Sequence, residues 1–394
     1  MMKPEKFLQR AESEIADNPL TRIPVSVNKI RNKANTIYDI HCHIFDKSTI
    51  VKSYFLLRIL DKLDAEKKFD DILDHIIDVN KDNEFDELFE IMNMNSMQEI
   101  LKHYYEHFAY QKNVICTPLM MDLEEGWYFK AKKSIDKQID ELKSLMNQYA
   151  ILPFLAVDPR KAEKKGKNNL YQLFLKAFTP DNDGNQFYGI KIYPALGYLP
   201  SDKWLWPIYE ICEKKKIPVT THCGGTIIRT NRKDLNLEGY QIIDDEVVSL
   251  KLNFVENSGK KRAEFLNNPK LWEPVLMQFP KLKLNLGHFG GVKQWKQLAE
   301  TSFNETIKTI NRLMGYEHVF ADFSFNIAQD CCFDVFLDYL QNNYTVRNKS
   351  LYGTDYWMVL AAGDFKKNHN EFIKRLGEYK KLLLRQNPEK FLFE

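Results

Sequence analysis

The sequence predicts an α/β protein folded as a (β/α)8 TIM barrel with helical and loop insertions after strands 1 and 5. Three observations carry that prediction. Eight short runs rich in β-branched or aromatic residues, bounded by Pro, Gly, Asn or Asp, recur between residues 36 and 394. Amphipathic stretches separate them, and strands alternating with helices pair in parallel through right-handed crossovers. The 394 residues exceed the ~250 typical of such a barrel, so the surplus must sit in insertions.

In chain order the runs are TIYDIHCHIF (36–45), NVICTPLMM (113–121), ILPFLAVDP (151–159) and GIKIYP (189–194). PVTTHC (218–223), KLNLGHFGG (283–291), VFADFSF (319–325) and SLYGTDYW (350–357) complete the set. In the intervening KKSIDKQIDELKSLMNQYA (132–150), Ile135, Ile139, Leu142 and Leu145 fall at helical spacing. Residues 1–35 are expected to form an N-terminal extension packed on a single barrel domain, 36–394. Two long gaps follow strand C-termini, 46–112 and 224–282, and both should lie over one end of the barrel. The first holds helical text (FDDILDHIIDV, MQEILKHYYEHF). The second is polar and turn-rich (NRKDLNLEG, ENSGKK) and reads as an adaptable lid whose Arg229 faces the pocket.

Composition narrows the function. A net charge of +2 offers no strong field for nucleic acid or an anionic membrane. The first twenty residues contain no secretory apolar segment, and no window approaches 18 uninterrupted apolar residues. Six cysteines form no CxxC motif and read as reduced, mostly buried thiols, the vicinal Cys331 and Cys332 included. A cytoplasmic protein is expected. Lysine-rich EKKGK (163–167) and CEKKK (212–216) read as solvated helix ends.

The first chemical signal is Asp39-Ile40-His41-Cys42-His43. Residues two apart on a strand share a face, so Asp39, His41 and His43 point one way, and two imidazoles at that spacing can chelate one divalent ion. His222, His288 and Asp355 close the fifth, sixth and eighth runs. Parallel strands bring those ends to one rim, and four of the chain's nine histidines lie there. Asp355 can both ligate an ion and accept a proton from bound water, with Thr354 and Trp357 shaping its surroundings. His75, His103, His107, His318 and His369 look ordinary, with His103 and His107 on an exposed helical face. Lys191 and Tyr193 alternate on the fourth strand, where burial would lower the lysine's pKa. Arg160 and Arg229 could clamp a substrate carboxylate, and Tyr198 and Trp127 could line the pocket.

With these residues in place, the pattern of HxH on strand one, His on strands five and six and Asp on strand eight resembles the amidohydrolase superfamily. The stretches GIKIYPALGYLP, NPKLWEPVL and LNLGHFGG are similar to its amidohydrolase-2 branch, the relatives of aminocarboxymuconate-semialdehyde decarboxylase. That resemblance implies His41, His43, His222 and Asp355 as metal ligands and His288 as the group that orients or polarises substrate or water. It implies a divalent ion, zinc first with manganese or iron as alternatives, and one ion ahead of two. In the two-ion alternative Lys191 is carboxylated and bridges, with His222 and His288 on the second ion.

The expected function is metal-dependent hydrolysis of an amide, ester, lactone or related bond of a small molecule, an anionic one being compatible with the two arginines, with Asp355 and His288 catalytic and Lys191, Tyr193, Arg160 and Arg229 contacting substrate. The alternative is non-oxidative decarboxylation of an aromatic or unsaturated acid at the same ligands. A barrel keeping metal only as a structural or sensing element is the third reading. No nucleic-acid or membrane partner is expected, and a homodimer is compatible with the sequence.

Overall fold

The computed structural model describes residues 2–50, 86–108, 113–226, 228–362 and 365–394. The sequence expectations for residues 51–85, His75 among them, lie outside the described residues.

Ten strands are described. They are β1 (Ile37–Cys42), β2 (Val114–Pro118), β3 (Phe154–Val157), β4 (Gly189–Ile192) and β5 (Val219–Gly224), then β6 (Asp234–Ile243), β7 (Glu246–Val255), β8 (Leu284–Gly290), β9 (Val319–Asp322) and β10 (Ser350–Leu351). All but β6 and β7 coincide with the eight predicted runs, β5 passing the end of its run by one residue, Gly224. A parallel six-stranded sheet runs β10-β9-β8-β5-β4-β3, and β1 pairs in parallel with β2. Isolated parallel bridges span the two seams. Cys116 to Ile151 and Leu119 to Phe154 join β2 to β3, and Cys42 to Tyr356 joins β1 to the segment after β10. The Asp355 N–H donates to His41 O at 2.6 Å across that second seam. The eight parallel strands therefore succeed one another around a ring. Their residues are almost uniformly buried, because helices cover the outside and side chains fill the inside.

The predicted helix over 132–150 is observed as Ile135–Leu145, and Ile135, Ile139, Leu142 and Leu145 are its buried stripe. At the N-terminus, the helix Pro4–Glu14 starts with Pro at a position where its missing N–H is harmless. It buries Phe7, which stacks on Tyr171 at 4.7 Å and meets Phe174 edge-on at 5.3 Å.

The segment expected to be an adaptable loop is largely ordered structure instead. β6 and β7 form an antiparallel hairpin of ten residues a side. Asp244 and Asp245 both have positive φ at its tip, the geometry a tight two-residue hairpin turn requires. Leu235 and Leu237 alternate on one face and pack on Leu199 and Leu266, so the driving force is a small apolar seam. Other expectations also need correcting. Lys215 is buried, donating to Asp17 Oδ1 at 2.5 Å and Glu12 O at 2.7 Å, so the 212–216 text is not wholly solvated. Cys331 is exposed while Cys332 is buried. His103 is buried and lies 2.5 Å from the Tyr356 hydroxyl, a partner 253 residues away that helical periodicity does not reveal.

Candidate metal centre

His41 and His43 project from β1 and its end, as alternation on a strand demands, and Asp355 approaches from beyond β10. His43 Nε2 is 3.2 Å and His41 Nε2 3.6 Å from Asp355 Oδ1, and the three form one cluster of buried donor atoms. Glycines allow the approach: a Cβ on Gly353 would lie 2.6 Å from His41 Cβ, and one on Gly287 would lie 2.7 Å from Thr221 O. Asp355 and His288 both hold positive φ, a conformation costly for non-glycine residues and concentrated at functional sites.

Hydrogen-bond partners assign the imidazole protons. His43 Nδ1 lies 3.0 Å from Leu119 O, which can only accept, so Nδ1 carries the proton and Nε2 the lone pair. His41 Nδ1 donates to Asp322 Oδ2 at 2.9 Å, again leaving Nε2 with the lone pair. His288 Nδ1 donates to Ser324 Oγ at 2.9 Å, and that hydroxyl donates onward to Asp322 Oδ1. His288 Nε2 then accepts from His222 Nδ1 at 3.1 Å. The relay leaves the lone pair of His222 on Nε2, a buried atom without a hydrogen-bond partner. His41 and His43 thus present Nε2 lone pairs beside the Asp355 carboxylate, and His222 carries a third at the other end of the relay, donor types that divalent transition ions take.

Electrostatics keep the donors in their binding forms. Burial, then the neighbouring Lys191, pushes His41 down to about 3. Burial and the adjacent His288 likewise hold His222 far below its ordinary value. Burial alone would raise Asp355, but His288 and the contact with His43 bring it down to about 2. Metal binding requires deprotonated ligands, so these shifts favour it.

Asp322, at the end of β9, is the functional residue that sequence reasoning missed. Fully buried, it takes hydrogen bonds from His41 Nδ1, from Asn285 Nδ2 at 2.6 Å and from the His288 backbone N–H at 3.0 Å. Its signal was present, because VFADFSF carries a carboxylate just past its apolar start, where β9 ends at Asp322. Asp39 sits below. It accepts from Thr354 N (2.9 Å), Thr354 Oγ1 (2.7 Å) and the Tyr104 hydroxyl (2.8 Å), tying β1 to the loop that carries Asp355. Burial, opposed by those bonds, moves Asp39 up to about 6.

The expected substrate-contacting residues divide. Lys191 Nζ is 3.4 Å from His41 Nε2, and burial draws it down to about 8. Tyr193 stacks on His222 at 4.4 Å, and its hydroxyl meets Thr226 Oγ1 at 2.5 Å. A small cavity beside them is lined by Met120, Met121, Asp122, Lys191, Tyr193 and Tyr198. Arg160 is engaged elsewhere: Asp158 holds its fork through Nε at 2.9 Å and Nη2 at 2.5 Å, so the geometry for clamping a substrate carboxylate is already used. Arg229 is half-buried, donates to Thr226 O at 3.2 Å, and lies against Gly259. Its main-chain carbonyl accepts from Trp127 Nε1 at 2.9 Å, which anchors the loop after β5.

A family model described as amidohydrolase matches residues 38–393. No curated protein matches the sequence. Among solved structures, an uncharacterised TIM-barrel protein from Bordetella bronchiseptica is similar at a TM-score of 0.51 and 14% identity, covering 91% of this chain and 98% of its own. An amidohydrolase 2 from Bifidobacterium longum subsp. infantis gives 0.45 and 12%, over 91% and 99%. A 4-oxalomesaconate hydratase from Rhodopseudomonas palustris gives 0.44 and 13%, over 91% and 95%. The fold is a TIM barrel, and no described helix is long and apolar enough to cross a membrane.

Proposed function

The chain belongs to the amidohydrolase family, and from that premise we propose that it hydrolyses an amide, ester, lactone or related bond of a small molecule at a single divalent ion, zinc first. The observation that carries this reading is the convergence of His41 Nε2 and His43 Nε2 on Asp355, with His222 Nε2 left unpartnered nearby in the relay. These four residues would hold the ion. When bound, it supplies Lewis acidity and lowers the pKa of water toward neutrality.

The remaining chemistry belongs to the chain. Asp355, ionised across the physiological range, takes the proton of the attacking water and returns it to the leaving group. Asp322 holds the His41 ring with its proton on Nδ1 and its lone pair on Nε2 and, through Ser324, fixes His288. His288 faces His222 and orients substrate or water from that side, while Lys191 and Tyr193 contact substrate in the adjoining cavity. One ion is favoured over two because His222 Nδ1 bonds to His288 Nε2, so the pair does not present two lone pairs to a second ion.

The test is metal analysis of the purified protein followed by a screen of amides, esters, lactones and carboxylated aromatics. About one ion per chain and release of an acid with its amine or alcohol are expected. Release of CO₂ would move the reaction to the decarboxylase alternative, and a protein purified without bound metal that also fails to take up zinc would overturn the reading.

A further inference from the structure

At the opposite end of the barrel a second cluster of titratable groups is assembled by the order of the strands. β10, β9, β8 and β5 are neighbours in the sheet, so the residues that lead into them come together. Those residues include Lys349, His318, Lys283 and Lys216. Backbone bonds tie the entries side by side: Val219 N donates to Lys283 O at 2.8 Å, and Leu284 N donates to His318 O at 3.0 Å. Arg22, from the turn Pro19–Arg22, reaches the same place and donates through Nη2 to Lys215 O at 2.9 Å and Lys216 O at 3.2 Å.

Two of these cations are both buried and under-used. Lys283 is 3% exposed and its Nζ has no hydrogen-bond partner. Arg22 is 1% exposed, and its Nε and Nη1 have none either. Lys349 Nζ donates to both Met314 O and Tyr316 O, whereas the exposed Lys216 Nζ makes one such bond, to Glu394 O, and keeps N–H groups for a further acceptor. The groups feel one another: Lys216 and Arg22 both act on Lys283, and Lys283, Lys349 and Lys216 all act on His318. Exposed Glu317 and Glu394 are the carboxylates that act on this cluster. Lysine can escape such a setting by losing its proton, but arginine cannot, so its idle donors still call for an acceptor.

We propose that this end of the barrel, between Arg22, Lys216 and Lys283, binds a phosphate group, either inorganic phosphate or the phosphate of a small ester. The unprotonated oxygens of a phosphate accept charge-assisted hydrogen bonds, which matches a cluster of idle donors. The site lies away from the metal centre, at the face of a barrel that governs stability more than chemistry. Its occupancy should therefore raise stability through mass action and leave turnover alone.

Thermal unfolding of the full-length protein tests this in inorganic phosphate, in glycerol phosphate and in sodium chloride of matched ionic strength. A saturable rise in Tm with phosphate, absent in chloride, is expected, and the half-saturating concentrations of the two phosphates identify the preferred source. Lys283→Met should raise that concentration at least tenfold while the bound metal stays unchanged. A chloride response equal to the phosphate response would overturn the proposal, as would a phosphate shift intact in Lys283→Met, which would place the anion elsewhere. Should Lys283→Met fail to fold, the exposed Lys216→Gln serves: a several-fold weaker phosphate response supports the site, and an unchanged one rejects it.

Discussion

The two ends of the barrel differ in how their polar groups are paired. At the C-terminal ends of the strands, His41, His43, His222, His288, Asp322, Asp355 and Ser324 form a network in which each ring N–H has an acceptor and the Nε2 atoms of His41, His43 and His222 are lone pairs. At the N-terminal ends, Lys283 and Arg22 leave donors idle in a buried setting. On the two proposals made above, one end holds a cation and the other takes an anion. Both follow from parallel strands, which put all their starts on one rim and all their ends on the other.

The largest effect expected from breaking the first network is His41→Ala. It removes a ligand and strands Asp322, so metal content by elemental analysis should fall to a small fraction and turnover with it. Full occupancy in a His41→Ala, His43→Ala double variant would refute the ligand assignment. Asp355→Asn comes next. The amide retains a ligating oxygen but accepts no proton, so a metal-loaded variant should lose about 10²–10⁴ in kcat. Near-normal rates would place the base elsewhere.

Asp322→Asn probes the support beneath the ligands. Loss of the charged acceptor at His41 Nδ1 should weaken metal affinity by roughly 10–100-fold, read by competition with a chelating dye. Unchanged affinity would mean the ring is held by Ser324 alone.

A pH titration sharpens the contrast further. The folded-state pKa values of His41, His222 and His288 are all depressed by burial, His41 to about 3. The unfolded chain takes up their protons near 6.5, before the folded one does. Their contribution to stability is thus complete above ~6.5 and is lost as pH falls toward the folded values. Tm of the metal-stripped protein should decline steadily from pH 7 to pH 4, and a flat profile would contradict neutral buried imidazoles. The smallest effect belongs to the other end: Lys283→Met should leave kcat and KM within about twofold, because it touches no ligand.

Much of the site was legible in the sequence because its residues sit at the ends of recognisable strands. Period-two alternation places His41 and His43 together, and the closing positions of other runs supply His222, His288 and Asp355. Asp322 is less legible, because it lies inside its run, followed by Phe323, Ser324 and Phe325, and its partners His41 and Asn285 are distant in sequence. The β6–β7 hairpin is also legible in the alternation of Leu235 with Leu237 and of Leu250, Leu252 and Phe254, which form its apolar face despite the polar residues between them. His103 is a different case, since its burial depends on Tyr356.

By itself the sequence determined the alternation of strands and helices and the residue types that close each strand, because periodicity and turn chemistry act over a few residues. Only the tertiary structure decided which nitrogen of each imidazole bears the proton, that Arg160 is committed to Asp158, and that Lys216, Lys283, His318 and Lys349 are neighbours. Each of those depends on partners brought together by strand order. Hydrogen bonding and Coulomb interaction act across angstroms of space, whatever the separation along the chain.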